Sequence, residues 1–142
     1  MPDIVHQLDI CVPENKIFEA VSSPTGLNSW WTLEAKGMPC KGSEYHLYFG
    51  PQYDWRAVVS DVTLDKSIHY RVTQAMDDWL HTVLEFELFS AEPNKCKLRF
   101  SHRGWAKESE HYAISSYCWA VLLLGLKNYV EKDIVVPFEH RN

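Results

Sequence analysis

Apolar and polar residues alternate from the start of the chain. His6, Leu8, Ile10 and Val12 share one parity, while Val5, Gln7, Asp9 and Cys11 take the other, the pattern of a strand with its apolar face on the even positions. Pro13 presets a helical φ at an expected first helical position, and Ile17, Phe18 and Val21 gather on one side of the short helix that follows. Ser23-Pro24 is a second start signal, a capping hydroxyl with proline just inside. It predicts a short helix over residues 25–29 that delivers Trp30 and Trp31 at its end.

The middle of the chain reads as successive antiparallel strands. Tyr45, Leu47 and Phe49 alternate with Glu44, His46 and Tyr48; Ile68, Tyr70 and Val72 alternate with His69, Arg71 and Thr73. Between them Trp55, Ala57 and Val59 form a run whose inward face is left ambiguous by Val58 and Val62. Leu84, Phe86 and Leu88 oppose Glu85 and Glu87, and Leu98, Phe100 and His102 oppose Lys97, Arg99 and Ser101. Ala91-Glu92-Pro93-Asn94 joins these last two as a turn of hairpin length. One apolar face and one charged face mark an antiparallel sheet with a wet side.

After Gly104 the period changes to 3.6: Tyr112, Ser116, Trp119, Leu123, Leu126 and Val130 fall on one helical stripe. The predicted helix covers residues 110–133, about 35 Å at 1.5 Å per residue, enough to cross a sheet. The fold class is therefore α+β: a curved antiparallel sheet of about six to seven strands wrapped around a long C-terminal helix, with two short helices after the first strand. Only the long helix is large enough to cover the sheet's apolar face.

Composition narrows the function. The chain has 142 residues, which suits one domain spanning 1–142 with its core at about residues 4–133. Its six Trp, seven Tyr and six Phe are unusual in so short a chain; large rings can fill a core, and they also wall cavities for apolar ligands. The net charge is −5 and no Lys/Arg-rich run occurs, which argues against a nucleic-acid or membrane partner. Cys11, Cys40, Cys96 and Cys118 lack metal-finger or CxxC spacing, and no signal peptide precedes them, so a cytoplasmic protein with free thiols is expected. The longest apolar run, residues 118–126, is about half a membrane span.

The front of the chain carries Pro13, Ile17, Phe18, Ala20, Pro24, Leu27, Trp30 and Trp31; the far end carries Ser101-His102-Arg103-Gly104-Trp105, then Trp119, Leu123 and Leu126. In this order and spacing, over roughly residues 4–133, the chain resembles the START-like (SRPBCC) superfamily, nearest the family named after the heat-shock protein 90 ATPase activator. Lys41-Gly42-Ser43 departs from that family's frequent Gly-Gly pair, and Leu64 stands where it often has proline. The resemblance implies a helix-grip fold and a cavity between sheet and long helix, in which superfamily members hold lipids, hormones or polyketides and a minority catalyse reactions.

The proposed inward face is rich in rings: Tyr45, Phe49, Trp55, Tyr70, Phe86, Phe100, Tyr112 and Trp119. They either wall a cavity or interlock as a solid core with internal hydrogen bonds. If a ligand is held, the candidate contacts are Trp30, Tyr45, Tyr70, His102, Tyr112, Ser116 and Trp119. His102 is a weak catalytic candidate: on the apolar parity of its strand, it is either a ligand-facing imidazole or a structural group bonded to a backbone carbonyl near Gly104, and no carboxylate shares its face. The seven histidines show no HxxxH or HExxH spacing, so no metal or cofactor is expected. Cys118, beside Trp119, reads as a small buried hydrophobe.

Tyr117, Val121 and Leu124, with Ile114 nearby, lie on the side of the helix away from the Trp119 stripe. That face either supports a homodimer or packs under residues 134–138. Three functions follow: a small-molecule binding domain, a cyclase or dehydratase using His102 and a cavity tyrosine, or a chaperone-binding module suggested by the family name alone. The loop at residues 76–80 is a candidate cover for the cavity.

Overall fold

The computed structural model describes residues 2–141, apart from the side chain of Ala91. Seven strands form one sheet: β1 (Ile4–Ile10), β2 (Glu34–Lys36), β3 (Glu44–Tyr48), β4 (Asp54–Thr63), β5 (Ser67–Gln74), β6 (Val83–Glu92) and β7 (Lys95–Arg103). Their spatial order is β1-β7-β6-β5-β4-β3-β2, and every neighbouring pair is antiparallel. The helices are α1 (Glu14–Ser22), α2 (Pro24–Trp30) and α3 (Glu110–Lys132), with a 3-10 turn at Phe138–His140. This is the expected α+β helix-grip architecture. β2, three residues long, is too short to leave a period in the sequence.

Local chemistry accounts for most boundaries. Ser23 caps α2, its Oγ accepting from the Gly26 N–H at 2.9 Å. Ser109 caps α3 by accepting from the Tyr112 N–H at 3.2 Å, and Asp133 ends that helix in the left-handed region (φ 56°). Pro13 is itself the N-cap of α1, with extended backbone (φ −62°, ψ 151°), so the helix begins one residue later than proline's usual first-turn position suggests.

The ambiguity of β4 has a physical origin. Its pairing with β5 steps from Val59↔Tyr70 to Asp61↔His69, leaving Ser60 as an extra residue. Ala57 and Val59 point into the core before this bulge and Val62 after it, because one inserted residue reverses the parity.

The core lies between the sheet and α3. Phe86, Phe100, Leu84 and Leu98 from the sheet meet Trp119, Leu123 and Leu126 from the helix, with Phe100 and Trp119 ring centroids 4.3 Å apart. On α3 the buried serine is Ser115, not Ser116, so the inward stripe is rotated slightly from the expected one. α1 and α2 meet at Gly26, where a Cβ would lie 2.6 Å from both Ala20 Cα and the Glu19 carbonyl oxygen. Only glycine allows that approach, and it sets where Trp30 and Trp31 enter the core.

Candidate functional site

Three of the candidate ligand contacts are engaged at the end of α1. A helix leaves its last four carbonyls without intrahelical partners. Here the Ser23 N–H donates to Glu19 O (2.8 Å), the Trp30 indole N–H to Ala20 O (2.9 Å), the Tyr70 hydroxyl to Val21 O (2.7 Å) and the Tyr45 hydroxyl to Ser22 O (2.6 Å). All four orphans are satisfied, three of them by rings. Tyr45 and Tyr70 pack edge to face at 5.0 Å, and both are wholly buried. Burial pushes the Tyr45 phenol up to about 12 and Tyr70 well above its ordinary value, so both hydroxyls stay protonated donors.

His102 lies at the centre of a second network. The Trp119 indole N–H donates to its Nδ1 at 3.1 Å, and since an indole can only donate, Nδ1 must be unprotonated. The proton therefore sits on Nε2, which donates to Thr82 Oγ1 at 2.8 Å. Thr82 in turn donates to the Trp79 carbonyl at 2.5 Å, and the Trp79 indole N–H donates to Ser115 Oγ at 3.2 Å. Burial, reinforced by His111, pulls the His102 pKa down to about 3. The imidazole is neutral with both nitrogens spent on side chains, a structural role reached through Thr82 and Trp119 instead of a backbone carbonyl near Gly104. Trp79 and Trp119 stack at 5.8 Å with planes 23° apart, and the His102 ring meets Trp79 edge-on at 4.5 Å.

This network fixes Trp79 as one wall of a recess. The recess holds about 430 Å³ and is lined by Trp31, Phe49, Tyr53, Trp55, Met76, Trp79, Leu122, Phe138 and Arg141. It lies between the tips of the β3–β4 and β5–β6 connections, the middle of α3 and the C-terminal 3-10 turn. Trp55 packs on Trp79 at 4.7 Å, Phe49 on Trp55 at 5.4 Å and Trp31 on Phe49 at 5.6 Å, so the wall is a continuous run of rings. Tyr53 and Met76, 45% and 51% exposed, stand at the mouth.

None of the seven candidate contacts lines this recess. Trp30 borders a smaller one, about 150 Å³, between α2, α3 and the C-terminal tail. Tyr112 donates to the Asp3 carbonyl at 2.9 Å, and Ser116 faces His6, its backbone oxygen 3.1 Å from Nε2. The side chains brought together from the candidate set are Trp119 with His102 and Tyr45 with Tyr70. Phe49 and Trp55 were legible as inward rings; Tyr53, Trp79, Leu122, Phe138 and Arg141 were not. Asp77-Asp78-Trp79, within the loop at residues 76–80 that was a candidate cover for the cavity, held the one usable signal, a large ring next to two carboxylates. That loop is tied to the start of α3: Asp78 accepts from the Ser109 hydroxyl at 3.2 Å and lies 3.4 Å from the His111 imidazole.

An antiparallel sheet gripping one long helix, with a ring-walled recess at the open end of the grip, defines a helix-grip domain of the START-like superfamily. More narrowly, residues 11–131 match the model of the family described as Activator of Hsp90 ATPase homolog 1-like protein, and the chain belongs to that family. The solution structure of the Aha1 dimer from Colwellia psychrerythraea is similar at 28% identity, covering 93% of this chain and 98% of that one, with a TM-score of 0.84. Protein MLL2253 from Mesorhizobium loti (19% identity, 94% and 100% covered, TM-score 0.81) shares the fold. So does CalU16 from Micromonospora echinospora (17% identity, 98% and 80% covered, TM-score 0.74). No curated protein matches the chain. Among the described residues no helix is long and apolar enough to cross a membrane, and no group of three His, Cys, Asp or Glu could hold a metal ion.

Proposed function

We propose that this domain binds a small apolar or aromatic molecule in the recess walled by Trp31, Phe49, Trp55, Trp79 and Phe138. The observation that carries this reading is a volume of about 430 Å³ lined by six aromatic rings together with Met76, Leu122 and Arg141, within the roughly 300–1,000 Å³ of small-ligand sites. The wall is preorganised, because Trp79 is held at its indole N–H by Ser115 and at its carbonyl by Thr82. A rigid wall costs little ordering entropy on binding. A cyclase or dehydratase would need an acid–base group, and His102 offers neither a free lone pair nor a free proton. Cys11, Cys40, Cys96 and Cys118 are free thiols, which suits a reducing cytoplasm.

Native mass spectrometry of gently purified protein, against the denatured mass of 16.6 kDa, tests the proposal. A reproducible extra mass that vanishes on denaturation is expected. A clean unliganded mass, combined with calorimetric silence toward a panel of bicyclic and tricyclic apolar compounds, overturns it.

A second property is favoured by a separate observation. Ile114, Tyr117 and Leu124 are 52%, 68% and 56% exposed, and Val121 lies between them on the same face of α3. The Colwellia relative is described as a dimer. We infer that this chain also pairs with a second copy through that face. Light scattering should then show a concentration-dependent dimer that Tyr117→Glu returns to monomer; a strict monomer at high concentration removes the inference.

A further inference from the structure

Arg141 is the single charged residue in the wall of the large recess. It is 8% exposed, and among the described residues no carboxylate lies within ion-pair range of its guanidinium. Its Nε donates to the Val136 carbonyl at 2.8 Å, Nη1 to Thr32 O at 3.1 Å and Nη2 to Asn28 O at 2.9 Å. These bonds clamp the C-terminal tail to the end of α2, and the ring of Phe138 lies 5.8 Å beneath the guanidinium carbon. A clamp of neutral carbonyls accounts for three of the five N–H donors. It leaves one on each Nη, and it leaves the positive charge itself unexplained. Burial lowers the Arg141 pKa from its ordinary value, yet a guanidinium remains protonated in a protein.

Glu139 contributes favourably from beyond ion-pair range and the Phe138 ring from below. The contacts made by the nearly buried cation among the described residues are nevertheless to neutral groups, so a ligand that brings a counter-charge into contact gains an interaction these residues do not supply. The geometry points to an aromatic or alicyclic carboxylate as the ligand of this recess, its ring system against Trp31, Phe49, Trp55 and Trp79 and its carboxylate on the two spare Nη–H groups of Arg141. This rests on the binding function proposed above and names the chemical class that fills it. A guanidinium with an N–H left on each Nη can meet both oxygens of one carboxylate, a planar recognition that arginine provides and lysine does not. The chain's net charge of −5 opposes an anion at long range. Salt confines that repulsion to about a Debye length, roughly 8–10 Å, while the guanidinium acts at contact in a desolvated wall.

Naphthalene-2-carboxylate and its neutral counterpart naphthalene-2-carboxamide are the probes, titrated calorimetrically into the full chain at neutral pH. The carboxylate is expected to bind about tenfold or more tightly than the amide, since charge-assisted hydrogen bonds are roughly twice as strong as neutral ones. Arg141→Gln should erase the difference and Arg141→Lys should restore only part of it, with circular dichroism confirming that each variant is folded. The wild-type comparison needs no variant and decides the matter even if both fail to fold. Equal binding of the two probes overturns this inference and leaves the binding function standing. Binding of neither overturns this inference, and the binding function is then decided separately by the native mass spectrum and the compound panel.

Discussion

A buried imidazole that must stay neutral makes stability depend on pH in a defined window. His102 is fully buried, and its pKa falls from the ordinary 6.5 to about 3 in the fold. The unfolded chain therefore binds a proton more readily, and the stability from the neutral ring is fully present above pH 6.5. It declines as pH drops toward the folded-state value, because protonation then favours the unfolded chain. Integrating one proton over that shift gives a loss of about 2–3 kcal/mol between pH 7 and pH 4.5, on top of whatever other groups contribute. His102→Gln removes the titration while keeping a hydrogen-bonding side chain. Removing the native partner of Trp119 and Thr82 should itself cost about 1–3 kcal/mol at pH 7. Urea unfolding followed by tryptophan fluorescence at pH 7 and pH 4.5 provides the comparison, with the remaining histidines cancelling between the two proteins. Wild type should lose about 2–3 kcal/mol more than the variant across that interval. Equal losses would refute the lowered pKa and with it the neutral ring below pH 6.5. So would an NMR titration in which the His102 ring resonances move with a midpoint near 6.5.

Other substitutions test the remaining framework. Gly26→Ala gains up to about 1 kcal/mol of helix propensity but forces a methyl against Ala20 Cα at 2.6 Å, so a net loss of about 2 kcal/mol or more is expected in chemical denaturation. Tyr70→Phe leaves the Val21 carbonyl buried without its donor and should cost about 1–3 kcal/mol, with the fold intact by circular dichroism. Leu122→Trp places a larger ring in the recess wall; it should abolish uptake of an apolar probe while shifting the melting temperature by only a few degrees.

Much of this fold was written locally. The alternation in β1, β3, β5, β6 and β7, the Ser23-Pro24 start of α2 and the single stripe of α3 each depend on neighbours within a few residues, where period and capping act directly. The apolar face of the sheet and the long helix then had one way to bury each other. What each ring does was decided by tertiary structure. Tyr45 and Tyr70 looked like ligand contacts by parity, but across 23 and 49 residues their hydroxyls find the orphan carbonyls of α1, and a satisfied donor is not free for a ligand. Trp79 sits in a loop with no periodicity, and becomes a wall of the recess only because β5 and β6 bring that loop over Trp119. Arg141 reaches back 109 residues to Thr32, closing the recess from the end of the chain. Hydrophobic period and caps report on a side chain's own turn or strand. Which polar tips remain unpaired, and where a hollow survives, depends on packing between segments far apart in sequence.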